Sequence, residues 1–304
     1  MKARLFAPTM ILIAMVPSAV GAPTHSTSRP DTARIEGLTG AKGNLDEKED
    51  VFKVSVPRSD LDVRVAGVRM TPPMGLTSWA SFKRVGRNTV VMGDMVLLED
   101  QVNPVMSAAL DNGLEVTALH NHFLWDSPRV MFMHIGGMGD EVKLATAVSA
   151  VFAKIKETSG GKGEIPHADL DPATTTLDPS KIDAVLHEKG SLNDGVYKVV
   201  VGRTTHMHGD VMGSTMGVNT WAAFVGSDDQ SVVDGDFAML ESELQGVLKA
   251  LRGAGINIVA IHQHMTSEEP RIVFLHYWGV GSTKTLAGAL RGALDKTTGS
   301  RARH

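Results

Sequence analysis

No cysteine occurs anywhere in the 304 residues. Disulfides are therefore excluded, as is an amino-terminal lipid carried on cysteine, and any bound metal has to be held by histidine, carboxylate or methionine. Basic charge in excess is absent too: 30 Lys and Arg against 34 Asp and Glu give a formal net charge of −4. That balance offers no basic stripe to a phosphate backbone, so no nucleic-acid partner is expected. Long apolar runs are missing beyond the first residues, and the 31 Gly and 13 Pro are dispersed as turn punctuation. With 42% hydrophobic and 21% charged residues, the chain is long enough for two units of ordinary size, each with its own core.

One apolar stretch does stand at the start. Lys2 and Arg4 precede a run from Leu5 to Val16, and the small residues Ala19, Gly21 and Ala22 follow. This is the pattern of a secretory signal peptide over residues 1–22, and the run is short of the roughly 20 residues that span hydrocarbon. The expected location is secreted or periplasmic, with no stable membrane anchor after cleavage. Residues 23–33, rich in Ser, Thr and Pro, are expected to be disordered.

The remainder is a duplication. Trp79-Ala-Ser-Phe82 returns as Trp221-Ala-Ala-Phe224, Gly93-Asp94 as Gly235-Asp236, His120-Asn-His122 as His262-Gln-His264, Pro128-Arg129 as Pro270-Arg271, and His134 as His276. All of these recur at one constant offset with no gap. Upstream, Val51-Phe-Lys-Val54 matches Val196-Tyr-Lys-Val199 after a small length difference. The chain divides into repeat 1 over 34–157, a linker over 158–180 rich in Gly, Asp, Thr and Pro, and repeat 2 over 181–298.

Within a copy, alternation and breakers predict strands over Phe52–Val56, Leu76–Phe82 and Asn88–Met95. Leu98, Val102, Val105, Met106, Ala109 and Leu110 fall at helical spacing and end at Gly113. A hairpin of Glu115–Phe123 with Arg129–Ile135 and a helix over Glu141–Lys156 follow. Strands, helix, hairpin and helix give an α+β fold with two helices per copy on one sheet face. The two copies are expected to join their sheets in a pseudo-two-fold arrangement.

The chemistry concentrates in the histidines. Two residues apart on a strand, His120 and His122 share a face, as do His262 and His264. A hairpin centred near Ser127 places His134 directly opposite His120, with Cβ atoms about 4.5–5.5 Å apart, and the same register places His276 opposite His262. Each copy then brings three imidazoles to one face, a ligand set suited first to zinc and second to copper. His206, His208, Met212 and Met216 in the second copy, where the first has Arg64, Ala66, Met70 and Met74, add ligands of the kind copper takes, although methionine is also an ordinary core filler.

Asp94 and Asp236 can supply a carboxylate ligand, an acceptor that orients a ligand histidine, or a turn or cap residue. Asp126 and Glu268 fall in the hairpin turn, as bases or as solvated turn residues. Arg129 and Arg271 can grip a substrate carboxylate or phosphate, or form a structural ion pair. Trp79 and Trp221 read as core.

The string Ala118-Leu-His-Asn-His122, Pro128-Arg129 with His134-Ile-Gly-Gly137, and Gly93-Asp94 resemble the LppY/LpqO family, also known as DUF1259. The resemblance covers most of the chain after the leader in both copies, the first being the closer match. It implies export, as for the exported mycobacterial lipoproteins of that family, and weight on the His motif; it names no reaction. The cysteine that would carry their lipid is absent here, so lipid anchoring does not carry over. Taken together, the residues predict an exported metal-binding protein with centres at His120, His122, His134 and at His262, His264, His276. A metal-dependent hydrolase acting on an envelope or extracellular substrate is one alternative. A metal-free binding or structural module, taking a small-molecule or envelope ligand, is another.

Overall fold

The computed structural model describes residues 29–298. The expected signal peptide, and residues 23–28 of the segment after it, lie outside that range. Copy one comprises α1 (Thr32–Thr39), β1 (Gly43–Asp46), β2 (Val51–Pro57), β3 (Arg64–Val65), β4 (Val68–Arg69), β5 (Thr77–Val85), β6 (Asn88–Leu98), α2 (Glu99–Asp111), β7 (Glu115–His120), β8 (Asp126–Ser127), β9 (Val130–Gly139) and α3 (Glu141–Glu157). Copy two repeats the order as α4 (Pro179–Leu186), β10 (Ser191–Asn193), β11 (Val196–Gly202), β12 (Thr205–Met207), β13 (Asp210–Met212), β14 (Asn219–Gly226), β15 (Ser231–Leu240), α5 (Leu244–Gly253), β16 (Asn257–His262), β17 (Glu268–Glu269), β18 (Ile272–Gly281) and α6 (Thr283–Leu294). Mixed helix and strand is the predicted class, but each copy has three α-helices among the described residues, not two. The extra ones, α1 and α4, are eight residues each and open their copies. The Asp31 side chain caps α1, so order begins ahead of residue 34.

Twelve strands form one sheet, in the order β1-β2-β5-β6-β9-β7-β16-β18-β15-β14-β11-β10. Read from either edge, the sequence of equivalent strands is the same. Alternation assigns the two faces. Phe82, Val91, Met95, Leu97, Met133 and Ile135 meet Val105, Met106 and Val148 of the helices in a core that also contains Phe224, Phe237, Val247 and Leu275 of the second copy. Each such fully buried side chain contributes about 1.5–3 kcal/mol, and with no disulfide to help, this shared core is what holds the copies. On the other face two small three-stranded sheets, β4-β3-β8 and β13-β12-β17, cover satellite clusters around Phe132 and Phe274. No helix among the described residues is long and apolar enough to cross a membrane.

The copies meet at β7 and β16, which pair antiparallel at the equivalent residues Leu119 and Ile261. Each of these strands carries an irregularity, at Val116/Ala118 and Ile258/Ala260. There the two strands part, and side chains finish the ladder. Gln245 of α5 donates to the Val116 carbonyl (2.9 Å) and accepts from its amide (3.1 Å). Asn103 of α2 does the same for Ile258, at 3.2 and 2.8 Å. A buried peptide group without a partner is costly, so each copy satisfies the other's bulged strand.

Candidate metal centres

Leu119 and Ile261 point into the core, so the next residues, His120 and His262, point to the opposite face. The two centres therefore lie on one side of the sheet, flanking the junction. In copy one His134 stands on β9, beside Asp94 of β6, which in turn faces Trp79 of β5. His120 ends β7. The register differs from the expected one by two residues: His134 pairs with Ala118, and Phe132 pairs with His120. In copy two Ala260 pairs with His276 and Phe274 with His262. The cause is the connection, which is no tight turn; β8 and β17 leave the hairpin to join the small sheets. A shift of two keeps each side chain on its face, whereas a shift of one would reverse it.

His122 lies beyond the end of β7 and is held by stacking on Phe132, with ring centroids 3.3 Å apart and planes 5° from parallel. His264 stacks likewise on Phe274, at 3.6 Å and 13°. In copy one His120 Nε2 and His134 Nε2 are 3.0 Å apart, and the ring of His122 lies 5.2 Å from that of His120. Nitrogen atoms of His120, His122 and His134 all fall within 4.8 Å of one another. Two facing imidazole nitrogens either share a proton or turn both lone pairs to a cation.

Copy two converges differently. The group whose ligand atoms lie within 4.8 Å is Asp236, His262 and His264, with His264 Nε2 3.4 Å from Asp236 Oδ2. His276 is adjacent, its ring 4.7 Å from that of His262, but its Nδ1 faces the Gly235 carbonyl at 3.3 Å. Asp94 and Asp236 are both buried, in the middle of long strands, which excludes the turn or cap role.

Three buried atoms in these centres have no hydrogen-bond partner: Asp94 Oδ1, Asp236 Oδ1 and His262 Nδ1. Buried polar atoms are ordinarily satisfied. A divalent cation fits this donor set, because in copy two it would give Asp236 and His262 the partner they lack, and in copy one it would sit among the three imidazoles beside Asp94. The electrostatics agree. Desolvation against their aromatic neighbours lowers the pKa of His122 and His264, opposed by the charges of Asp94 and Asp236, and so favours the neutral ligand form. Burial raises the Asp236 carboxyl, opposed by His276, His262 and His264.

Trp79 and Trp221 are not core residues. Ala80 and Phe82 point to the helices, so Trp79 points to the open face, half-buried, with Lys53 Nζ 3.9 Å from its ring centre. Lys198 sits 4.2 Å over Trp221 in the same way, and each Trp is the register partner of its Asp. Lysine, tryptophan, aspartate and histidine thus line up on the face of each copy. The signal was present in the repeated Val-(Phe/Tyr)-Lys-Val string, whose lysine alternates with core residues.

Asp126 and Glu268 close the hairpin loops, accepting from the Val130 amide (2.8 Å) and the Ile272 amide (3.2 Å). Arg129 and Arg271 are exposed. Arg271 lines a cleft of about 920 Å³ together with His262, Gln263, Ser242 and Gln245, where β7 and β16 part. His206 and His208 are exposed and join neither ligand group.

None of the curated proteins compared matches the chain. Among solved structures it is similar to the trimeric bacterial microcompartment shell protein PduB, at 10% identity over 83% of this chain and 88% of that one, with a TM-score of 0.20. The family described as Domain of Unknown Function (DUF1259) matches twice, over residues 33–154 and 180–296, one match in each copy, and the protein therefore belongs to the DUF1259 family as two tandem repeats.

Proposed function

We propose that this is an exported protein that binds divalent metal at two centres, one in each repeat, with zinc the first candidate and copper the second. The carrying observation is the convergence of imidazole nitrogens beside a buried carboxylate oxygen that has no partner, built twice on one sheet face. Export rests on Lys2, Arg4 and the apolar run after them. His120, His122 and His134, with Asp94 alongside, would hold one ion; Asp236, His262 and His264, with His276 alongside, would hold the other. The test is metal content by mass spectrometry on protein purified from the compartment it occupies, then stripped and reloaded with zinc. Wild type is expected to hold close to two ions per chain and a His120→Ala/His122→Ala variant close to one, on the affinities of such sites. Fewer than about 0.1 ions per wild-type chain after reloading would overturn the reading.

A second reading, metal-dependent hydrolysis, is supported by the cleft beside His262. A divalent ion there would supply a Lewis acid and an activated water. Arg271 would hold an anionic group of the substrate, and Gln263 and Ser242 would position neutral polar groups. Hydrolysis of activated esters or phosphoesters that disappears in His262→Ala but survives in His120→Ala would establish it.

A further inference from the structure

We infer that the two centres differ in metal preference: the first is a three-nitrogen site, while the second is a two-nitrogen, one-oxygen site whose preference is shifted toward hard divalent ions such as Mn(II) or Fe(II). The inference rests on the metal-binding reading above. Its first support is the donor set. Copy one gathers His120, His122 and His134, with Asp94 outside the convergent group, whereas in copy two the convergent group is Asp236, His262 and His264, with His276 outside it. A sequence difference lies beside that histidine on the same strand face, where copy two has Trp278 and copy one has Gly136. Exchanging a neutral imidazole for a carboxylate adds a negative charge and a hard oxygen. That exchange favours manganese and ferrous ions relative to zinc, although the general affinity order keeps zinc the tighter ion at either site.

The surroundings support the same assignment. Hard octahedral ions need open positions for water or a ligand, and His262 opens onto the cleft whose wall includes Ser242 and Gln245. The counterpart of Ser242 in copy one is Asp100, and there the start of the linker lies against the helix. The Gly163 amide donates to Asp100 Oδ2 at 3.1 Å. The linker thus bonds on copy one to the position whose counterpart, Ser242, lines the open cleft on copy two. Charge near the second centre is mixed, with Glu115, Glu241 and Arg271 all lining the cleft, so the proposal concerns the ion and not the charge of a further ligand.

The experiment uses the full chain, stripped of metal and kept anaerobic, with Mn(II) binding followed by electron paramagnetic resonance and zinc binding by competition. His120→Ala/His122→Ala leaves the second centre alone, and His262→Ala/His264→Ala leaves the first. The expected result is a ratio Kd(Mn)/Kd(Zn) at least about tenfold smaller at the second centre than at the first. Asp236→His, which restores a third nitrogen, is expected to raise that ratio about tenfold. Asp236→Asn, close to isosteric, is expected to weaken Mn(II) at least about tenfold more than zinc. Zinc binding at both centres with equal ratios, or ratios indifferent to both Asp236 variants, would overturn the inference while leaving the metal reading intact. A wild-type chain that binds neither ion would overturn the metal reading itself.

Discussion

Gly235 precedes the buried Asp236 and offers the sharpest test of how the fold sets the second centre. A Cβ built at this position would press on the Tyr277 hydroxyl and ring and on the Trp221 carbonyl, all well inside contact distance. Tyr277 is fully buried and donates to that same carbonyl at 2.9 Å. A methyl at 235 must therefore expel the tyrosine and its hydrogen bond, or push β14 from β15. Overpacking of this kind costs about 1–3 kcal/mol, and a buried group deprived of its partner costs about 1–3 kcal/mol more. Gly235→Ala is expected to lower stability by about 3 kcal/mol or more in a urea titration followed by circular dichroism. At the equivalent Gly93 the neighbours are the Trp79 carbonyl at 2.7 Å and Cγ1 of Ile135 at 2.9 Å. With a side chain there that can move and no hydroxyl bond to lose, Gly93→Ala is expected to cost about 1–2 kcal/mol. Pairing Gly235→Ala with Tyr277→Ile, the residue type copy one carries at this point, should return at least about 1 kcal/mol in a double-mutant cycle. A Gly235→Ala protein within about 0.5 kcal/mol of wild type, or one less affected than Gly93→Ala, would refute the packing argument.

The amide bridges at the junction give a second prediction: Gln245→Leu and Asn103→Leu should each cost about 2–3 kcal/mol, because each strips partners from a peptide group of the opposite copy; unchanged melting temperatures would disprove the role. Glu243 gives a pH dependence. Burial raises its carboxyl, but Arg203 at 2.7 Å, Thr298 and the Leu240 amide together hold it below its ordinary value. The stability it contributes is fully present above its unfolded pKa of about 4.3 and is lost as the pH falls through the lower folded value. The stability gap between wild type and Glu243→Gln should therefore be largest near neutrality and close below about pH 4; a gap that widens on acidification would reverse the sign of the argument. His206→Ala/His208→Ala should leave the number of zinc ions bound unchanged, since neither residue joins a ligand group, and the loss of one ion would place a ligand where the fold places none.

Much of each copy was legible because its strands and helices carry clean periodicity. The run Leu98 to Leu110 becomes α2, and the alternation of Phe52 to Val56 becomes β2. The repeat singled out the histidines and the Gly-Asp pair, and these do gather on one face. What stayed hidden has identifiable causes. The short helices α1 and α4 leave too few turns for a pattern, and two-residue strands such as β3 and β8 have no period at all. Hairpin register depends on a connection whose path is set by pairing with β3, far upstream. The place of Trp79 is set by alternation rather than by its size: Ala80 and Phe82 share the core face, so Trp79 takes the other. The different convergence in copy two arises from side-chain rotation within a repeated frame, to which residue spacing is blind.

The crossed bridges between Gln245 and Val116, and between Asn103 and Ile258, bear on how such a chain could arise. A lone ancestral unit would have ended at its β7 as a bare edge strand, with a bulge whose peptide group had nothing to bind. Such edges invite another chain, and a two-fold pair of identical units supplies the missing amide to both partners at once. Joined through a linker, two such units would pair independently of concentration and would be free to diverge. One half could then keep a closed cluster of histidines while the other opened beside a cleft.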